Sequence, residues 1–325
     1  MTTIPLSAQA ENPQLRPLNI LHDLPAVADL VETCFADTMD ADGRRYIQQM
    51  RSAGRDNQFL RWATSAVETA SMPLSGYVWE DQGRIVGNVS LIPYRAAGRR
   101  YYLIANVAVR PDHRRQGLGR SLTLAAMQHA RARNADEIWL HVRDDNPGAI
   151  ALYQGLGFRE KLRRTAWQAK IDHNARYETG GISLLAHYSN EWALQEGWLR
   201  RLYPDRMTWY QPVPWKTLRP GLGPSLYRFF VDIGSRHWTA YAGGKLFGTL
   251  TWQPVSGSAD RLWAAVPPEG AGESLTALLV HVRRTLHWRQ ALGLDFPAGE
   301  YAADIAAAGF HPFRTLIWMQ VVEQF

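Results

Sequence analysis

Residues 107–120 constrain this chain more than any other stretch: Val-Ala-Val-Arg-Pro-Asp-His-Arg-Arg-Gln-Gly-Leu-Gly-Arg. An apolar strand breaks at Pro111 into a basic turn punctuated by Gly117 and Gly119. An amphipathic helix follows at once, with Leu122, Ala125, Ala126 and Ala130 along one side. That order builds an anion site. The glycines carry no Cβ, so backbone can come close to a ligand. The opening helix turns its free N–H groups and the positive end of its dipole to the same spot. Arg114, Arg115 and Arg120 add charge, and a guanidinium grips phosphate through two bonds at once. The ligand implied is a phosphorylated small molecule.

The turn lacks the Gly-Lys-Ser/Thr ending of a P-loop and the G-x-G-x-x-G of a dinucleotide site. Its spacing, Arg114-x-x-Gly117-x-Gly119, resembles the acetyl-CoA pyrophosphate loop of the GCN5-related N-acetyltransferase (GNAT) superfamily. Further on, Asn146-Pro-Gly-Ala149-Ile-Ala-Leu152-Tyr153-Gln-Gly-Leu-Gly157-Phe158 is similar to that superfamily's N-x-x-A-x-x-L-Y-x-x-x-G-F segment. The resemblance covers roughly residues 14 to 171, about half the chain. It implies acetyl-CoA (coenzyme A) as cofactor and transfer of an acetyl group to an amine.

For individual residues the resemblance implies definite roles. Backbone groups of Val107, Ala108 and Val109 would pair with pantetheine as though it were another strand. Arg114, Arg115, Gln116, Gly117, Leu118, Gly119 and Arg120 would cradle the pyrophosphate. Tyr153 falls on the general acid, and a phenol with pKa near 10 stays protonated at neutral pH and can donate to a thiolate. A buried ring packed under the sheet is the other reading. Asn146 falls on the position that hydrogen-bonds cofactor or substrate near the thioester, and it equally suits an N-cap for the helix opening at Pro147. Leu140-His-Val-Arg143 resembles the Leu-Glu-Val-Arg of ribosomal-protein N-terminal acetyltransferases, in which the Glu is the base. Histidine in general titrates near neutrality, so His141 could take a proton from an ammonium. It could instead be a strand histidine satisfied by a neighbour, since many acetyltransferases use a water chain.

A chain of 325 residues suits two domains of about 150 each. The formal charge of +6 comes without a long basic run or an interleaved aromatic stripe, so no nucleic-acid partner is expected. Cys34 is the only cysteine, which excludes an internal disulfide and points to a reducing compartment. No apolar run reaches membrane-spanning length and the N-terminus lacks a signal-peptide core, so a cytoplasmic protein without membrane attachment is expected. Residues 1–13 are polar and read as a disordered tail. His281 and His287, six apart on a helix, do not make a metal pair, and no metal site is expected. Trp192, Trp198, Trp209, Trp215, Trp238, Trp252 and Trp263 read as core and domain interface.

The fold class is α/β (α+β). Periodicity predicts a strand at Leu15–Ile20, then a helix capped by Asp23 with Pro25 just inside it. Helix and loop follow over residues 43–65. Strands come at Tyr77–Glu80, Ile85–Ile92 and Tyr101–Val109, a helix at Gly119–Arg133, a strand at Glu137–Val142, a short helix at 147–154, and closing strands at Phe158–Ile171. The second half repeats the first imperfectly. Gly83-Arg-Ile-Val-Gly87 matches Gly244-Lys-Leu-Phe-Gly248 at an offset of 161, Ser121-Leu-Thr matches Ser274-Leu-Thr at 153, and Gly157-Phe158 matches Gly309-Phe310 at 152. Two GNAT-like domains are therefore expected, each a mixed, mainly antiparallel sheet flanked by helices: 14–172 and 177–325. The tandem order resembles mycothiol synthase-like proteins. In those the catalytic site lies in the C-terminal copy. Here the second copy reads Val266-Pro-Pro-Glu-Gly-Ala-Gly-Glu273, where prolines remove donors and Glu269 and Glu273 oppose a phosphate. The working site is expected in the first copy and a degenerate domain in the second. The expected function is an acetyl-CoA-dependent N-acetyltransferase acting on a primary amine of a small molecule by direct attack in a ternary complex, in a monomer or homodimer. The alternatives are a peptide or protein N-terminal acetyltransferase and a non-catalytic acyl-CoA-binding module. Acceptor contacts are expected from residues 36–76.

Overall fold

The computed structural model describes residues 13–39, 41–53, 73–177, 180–186, 191–220, 234–255, 257–286 and 291–322. All but the last residue of the expected tail, and much of the expected acceptor segment, lie outside them. The chain forms two compact units. The first comprises Met1–Val142, Asn146–Arg159 and Met319–Phe325; the second comprises Arg143–Asp145 and Glu160–Trp318.

In the first unit the chain runs β1 (Leu15–Pro17), α1 (Leu24–Phe35), α2 (Ala41–Ala53), β2 (Ser75–Asp81), β3 (Arg84–Ala96), β4 (Arg99–Val109), α3 (Leu118–Ala132), β5 (Glu137–Arg143) and α4 (Pro147–Gln154). Strands β1 to β4 pair antiparallel in sequence order, and β5 joins β4 in parallel. Helix α1 buries Val27, Ala28, Leu30 and Val31 in a core shared with Ile47 and Met50 of α2. Its expected cap is not made. The Asp23 carboxylate is held by Arg16 at 2.7 and 3.0 Å and accepts the Asn19 N–H at 2.8 Å. A charge-assisted partner outcompetes a local amide here. On α3, Leu122, Ala126 and Ala130 are fully buried, as the periodicity predicts.

The second unit contains β6 (Phe158–Lys170), β7 (Ile182–Leu185), α5 (Trp192–Leu202), α6 (Asp205–Thr208), α7 (Trp215–Leu218), β8 (Arg236–Ala242), β9 (Lys245–Gln253), β10 (Asp260–Ala265), α8 (Gly272–Thr285), β11 (Ala291–Pro297), α9 (Ala302–Ala307) and β12 (His311–Val321). Here β7 to β10 pair antiparallel and β11 joins β10 in parallel. The repeat extends to details. The β2–β3 register shifts between Trp79 and Glu80, and the β8–β9 register shifts between Ala240 and Tyr241, at the same offset of 161. Thr123 Oγ1 donates to Gly119 O at 2.7 Å, and Thr276 Oγ1 donates to Gly272 O at 2.9 Å. Gly157 and Gly309 are left-handed, at φ +91° and +77°, before the buried Phe158 and Phe310.

Neither unit is a single run of sequence. From Glu160 onward β6 belongs to the second unit and pairs antiparallel with β11, from Arg164↔Pro297 to Lys170↔Ala291. In exchange, residues from Met319 belong to the first unit. There Gln320 Nε2 donates to Glu137 Oε2 at 2.9 Å and the Val322 N–H to Gly157 O at 3.2 Å. Alternation and propensity show that a segment is a strand, but they carry no information about which edge it joins.

Candidate active site

The site is built where β4 ends. After Val109 the chain makes one tight turn at Pro111–His113, and Arg114 folds back to donate Nε to Val109 O at 3.1 Å. Arg115 and Gly117 are left-handed, at φ +65° and +83°, and Gly117 is the N-cap of α3 with no side chain bonded to the helix start. The first-turn N–H groups of α3 therefore point out of a loop whose Arg114, Arg115, Gln116 and Gly117 are exposed. The two glycines serve different ends. A Cβ on Gly117 would meet nothing within 4 Å, so its positive φ is what requires glycine; a Cβ on Gly119 would touch Leu152 Cδ2 at 3.4 Å. Leu118 is buried and offers its backbone only, while Arg120 is exposed. His113 bonds Asp112 at 2.8 Å, which raises its pKa above the ordinary histidine value.

Beside the loop, β4 and β5 part. Their parallel pairing runs from Tyr101↔Glu137 to Ile104↔Leu140, yet β4 continues to Val109 and β5 to Arg143. Val107, Ala108 and Val109 lie on this opened stretch, and Ala108 pairs with Asn88 of β3 on the other side. His141 is the first residue of β5 past the pairing and is half-buried. Asn146 caps α4, its Oδ1 accepting the Ala149 N–H at 3.1 Å. On α4, Tyr153 is only 7% exposed and packs its ring edge against Phe158 at 6.0 Å. Burial alone pushes the phenol up to about 12, so it is protonated throughout the neutral range. Cys34 of α1 reaches Val109 O at 3.4 Å, and burial raises its pKa.

Sequence reasoning missed a polar group close by: Asn88 and Ser90 of β3, Asn106 of β4 and Tyr46 of α2, linked by hydrogen bonds. Asparagine is disfavoured in strands. Two asparagines on neighbouring strands were the available signal.

The second unit carries the same turn. Gly270 is left-handed at φ +73°, as Gly117 is, and Gly272 opens α8. Its own side chains fill the surrounding space. Tyr301 Oη donates to Pro267 O at 2.9 Å and accepts the Ala271 N–H at 3.3 Å. The Asp304 carboxylate lies over Gly272, where any Cβ would collide with it. Ala265 pairs with Thr249 as Ala108 pairs with Asn88, so Ala264 is the counterpart of Val107; its N–H is taken by Tyr203 Oη at 3.2 Å. Tyr203 is 1% exposed and stacks edge-on against Trp263 at 5.0 Å. His281 packs on Trp238 at 5.8 Å and burial lowers its pKa, while His287 lies outside the described residues. Trp198, Trp209, Trp238, Trp252 and Trp263 are buried, and Trp192 meets Trp215 edge-to-face at 6.4 Å. Among the described residues no helix is long and apolar enough to cross a membrane.

Residues 36–158 match the model of the acetyltransferase (GNAT) family. A ribosomal-protein-alanine N-acetyltransferase of Escherichia coli is 43% identical over 67 residues, which are 21% of this chain and 45% of that protein. A mycothiol acetyltransferase of Saccharomonospora viridis is 33% identical over 112 residues, 34% of this chain and 35% of that protein. The chain thus spans less than half the length of these relatives. Among solved structures, a tandem GNAT protein from the clavulanic acid biosynthesis pathway superposes with a TM-score of 0.50 at 19% identity, covering 96% of this chain and 99% of that one. A GCN5-related N-acetyltransferase from Sphaerobacter thermophilus does so with a TM-score of 0.55 at 16% identity, covering 94% and 95%. Residues 36–158 thus match the GNAT acetyltransferase family, and the fold of the chain is similar to that of a tandem GNAT protein.

Proposed function

We propose that this chain is an acetyl-CoA-dependent N-acetyltransferase with one working site, in the first unit, acting on a primary amine of a small molecule by direct attack in a ternary complex. The observation that carries the reading is the uncapped start of α3, with left-handed Gly117, beside the stretch where β4 has left β5. The residues present fit coenzyme A. The loop is basic and exposed, its glycine leaves open space, and the parted strands offer backbone for an extended chain. Bound acetyl-CoA supplies an activated acyl thioester. Arg114, Arg115, Gln116, Gly117, Leu118, Gly119 and Arg120 hold the diphosphate through main chain and guanidinium groups. Val107, Ala108 and Val109 orient the pantetheine. Tyr153 holds a proton for the departing sulfur, and its high pKa keeps that proton in place. His141 accepts the proton of the amine, and Asn146 has its Nδ2 left to donate while Oδ1 caps α4.

In the second unit Tyr203, Tyr301 and Asp304 support a structural rather than a cofactor-binding role. Similarity to a ribosomal-protein-alanine N-acetyltransferase favours a second reading, a peptide amino terminus as acceptor. Release of free thiol from acetyl-CoA over a panel of small amines and short peptides tests the reading. Turnover with small amines supports it, and turnover with peptides alone moves the acceptor class. Coenzyme A binding without thiol release to any acceptor leaves a binding module.

A further inference from the structure

The two units differ at one point of the strand that carries the site. In the second, β9 and β10 pair without interruption, Thr249 facing Ala265, Leu250 facing Ala264 and Thr251 facing Trp263. In the first the pairing slips. Asn88 faces Ala108 but Ser90 faces Ala105, so Asn106 and Val107 together stand opposite Val89. Asn106 absorbs the extra residue in a left-handed conformation, φ +49°. L residues avoid that region, and asparagine is among the few that tolerate it. The bulge comes directly after Ile104 and Ala105, where β4 parts from β5.

Side chains hold this bulge. Asn88 is fully buried and donates Nδ2 to the Asn106 carbonyl at 2.9 Å and to Ser90 Oγ at 3.3 Å. Asn106 Nδ2 donates to Ser90 Oγ at 3.3 Å and to Tyr46 Oη of α2 at 3.1 Å. Asn88 Oδ1 is buried and accepts no hydrogen bond from a described residue. A flipped amide would set two oxygens against each other at Asn106 O, so the orientation is fixed by its partners. Folds rarely leave a buried acceptor unmatched, and the exceptions cluster where function demands them. The second unit has Thr249 and Thr251 at these places. There the Thr251 hydroxyl bonds His237 Nδ1 at 2.6 Å, and no bulge forms.

We infer that Asn88 is a positioning residue for acyl transfer: by carrying the Asn106 carbonyl it holds the bulge that aims the Val107 backbone into the gap between β4 and β5. The inference rests on the acetyltransferase reading above. A bulge re-aims the strand groups beside it, and the unbulged strand has its counterpart amide, Ala264 N–H, bonded to Tyr203. Through Tyr46 the same network ties the bulge to α2.

Steady-state kinetics with an active amine, together with calorimetry of coenzyme A and thermal unfolding, test this. For Asn88→Ala, kcat falls about 10- to 100-fold, as misplacement near the reacting atoms does, while Kd for coenzyme A stays within about twofold. Asn106→Gly, free to adopt the left-handed region, restores part of the lost rate when added to Asn88→Ala. An Asn88→Ala kcat within twofold of wild type overturns the inference. So does a loss of kcat that coenzyme A affinity and melting temperature follow in parallel, which would make Asn88 merely structural. Wild-type protein that binds coenzyme A but acetylates no amine removes the acetyltransferase reading, and the inference with it.

Discussion

The turn before α3 and the turn before α8 carry the same Gly-x-Gly spacing, Gly117 and Gly119 in one, Gly270 and Gly272 in the other, with the first glycine left-handed in both. Around the first turn the helix start is uncapped and the neighbours are exposed arginines and Gln116. Around the second, Tyr301 bonds the Ala271 N–H, the Asp304 carboxylate lies over Gly272 and Tyr203 bonds the Ala264 N–H. A glycine pattern of this kind records how a strand is joined to a helix. Whether the junction is a site depends on three or four side chains from elsewhere in the unit.

Four measurements test the difference between the two turns. The largest effect is expected at Tyr153. Tyr153→Phe lowers turnover about 10²- to 10⁴-fold, the range for loss of one general acid or base, and leaves coenzyme A affinity unchanged. The pH–rate profile of the wild type shows no alkaline limb from this group below pH 10, because its pKa lies at about 12. The paired change Gly117→Val and Gly270→Val comes next. Each forces a β-branched residue into a left-handed position. Loss of one or two charge-assisted backbone bonds would raise the coenzyme A Kd of the first variant about 10- to 100-fold. The second variant keeps wild-type affinity, and equal losses in calorimetry would end the claim that only one unit binds.

Tyr203→Phe probes the filled cleft from the other side. Removing the hydroxyl leaves the Ala264 N–H buried without its acceptor, which costs about 1–3 kcal/mol in urea unfolding. Turnover stays at the wild-type level, and a drop in turnover without loss of stability would assign the second unit a part in the chemistry. The smallest effect belongs to His113. Its bond to Asp112 raises its pKa, so its positive charge is present below that raised value and disappears as pH rises through it. Coenzyme A affinity should fall by about twofold over that interval, as for an exposed and screened charge, and His113→Gln should flatten the dependence.

Much of the first unit was legible because its signals are local. The strand at Tyr101–Val109, the helix from Leu118 and the turn between them follow from apolar periodicity, Pro111 and two glycines, all within 32 residues of chain. What escaped depends on distant partners. Asp23 looked like a cap because its competitor, Arg16, lies on another element. The bulge at Asn106 is a matter of register against β3, and register is not written in β4 alone. Tyr203 reaches Ala264 across 61 residues, so nothing near residues 266–273 announces it. The candidate site residues lie on or beside β4, α3, β5 and α4, since the motifs that carry them are short segments of these elements and of the turns that join them.

The exchange of closing segments also sets a schedule for synthesis. Gln320 meets Glu137 across 183 residues of chain, and Val322 meets Gly157. Closing so long a loop changes equilibrium stability little, because each doubling of loop length costs only about 0.6 kcal/mol. Its effect falls on timing. On a ribosome, which releases the chain from its N-terminus at about 5–20 residues per second, the first unit waits for Gln320 and Val322 to emerge before these bonds can form. A fragment ending near residue 177 would carry every motif residue of the site and still leave the Gln320 and Val322 bonds unmade.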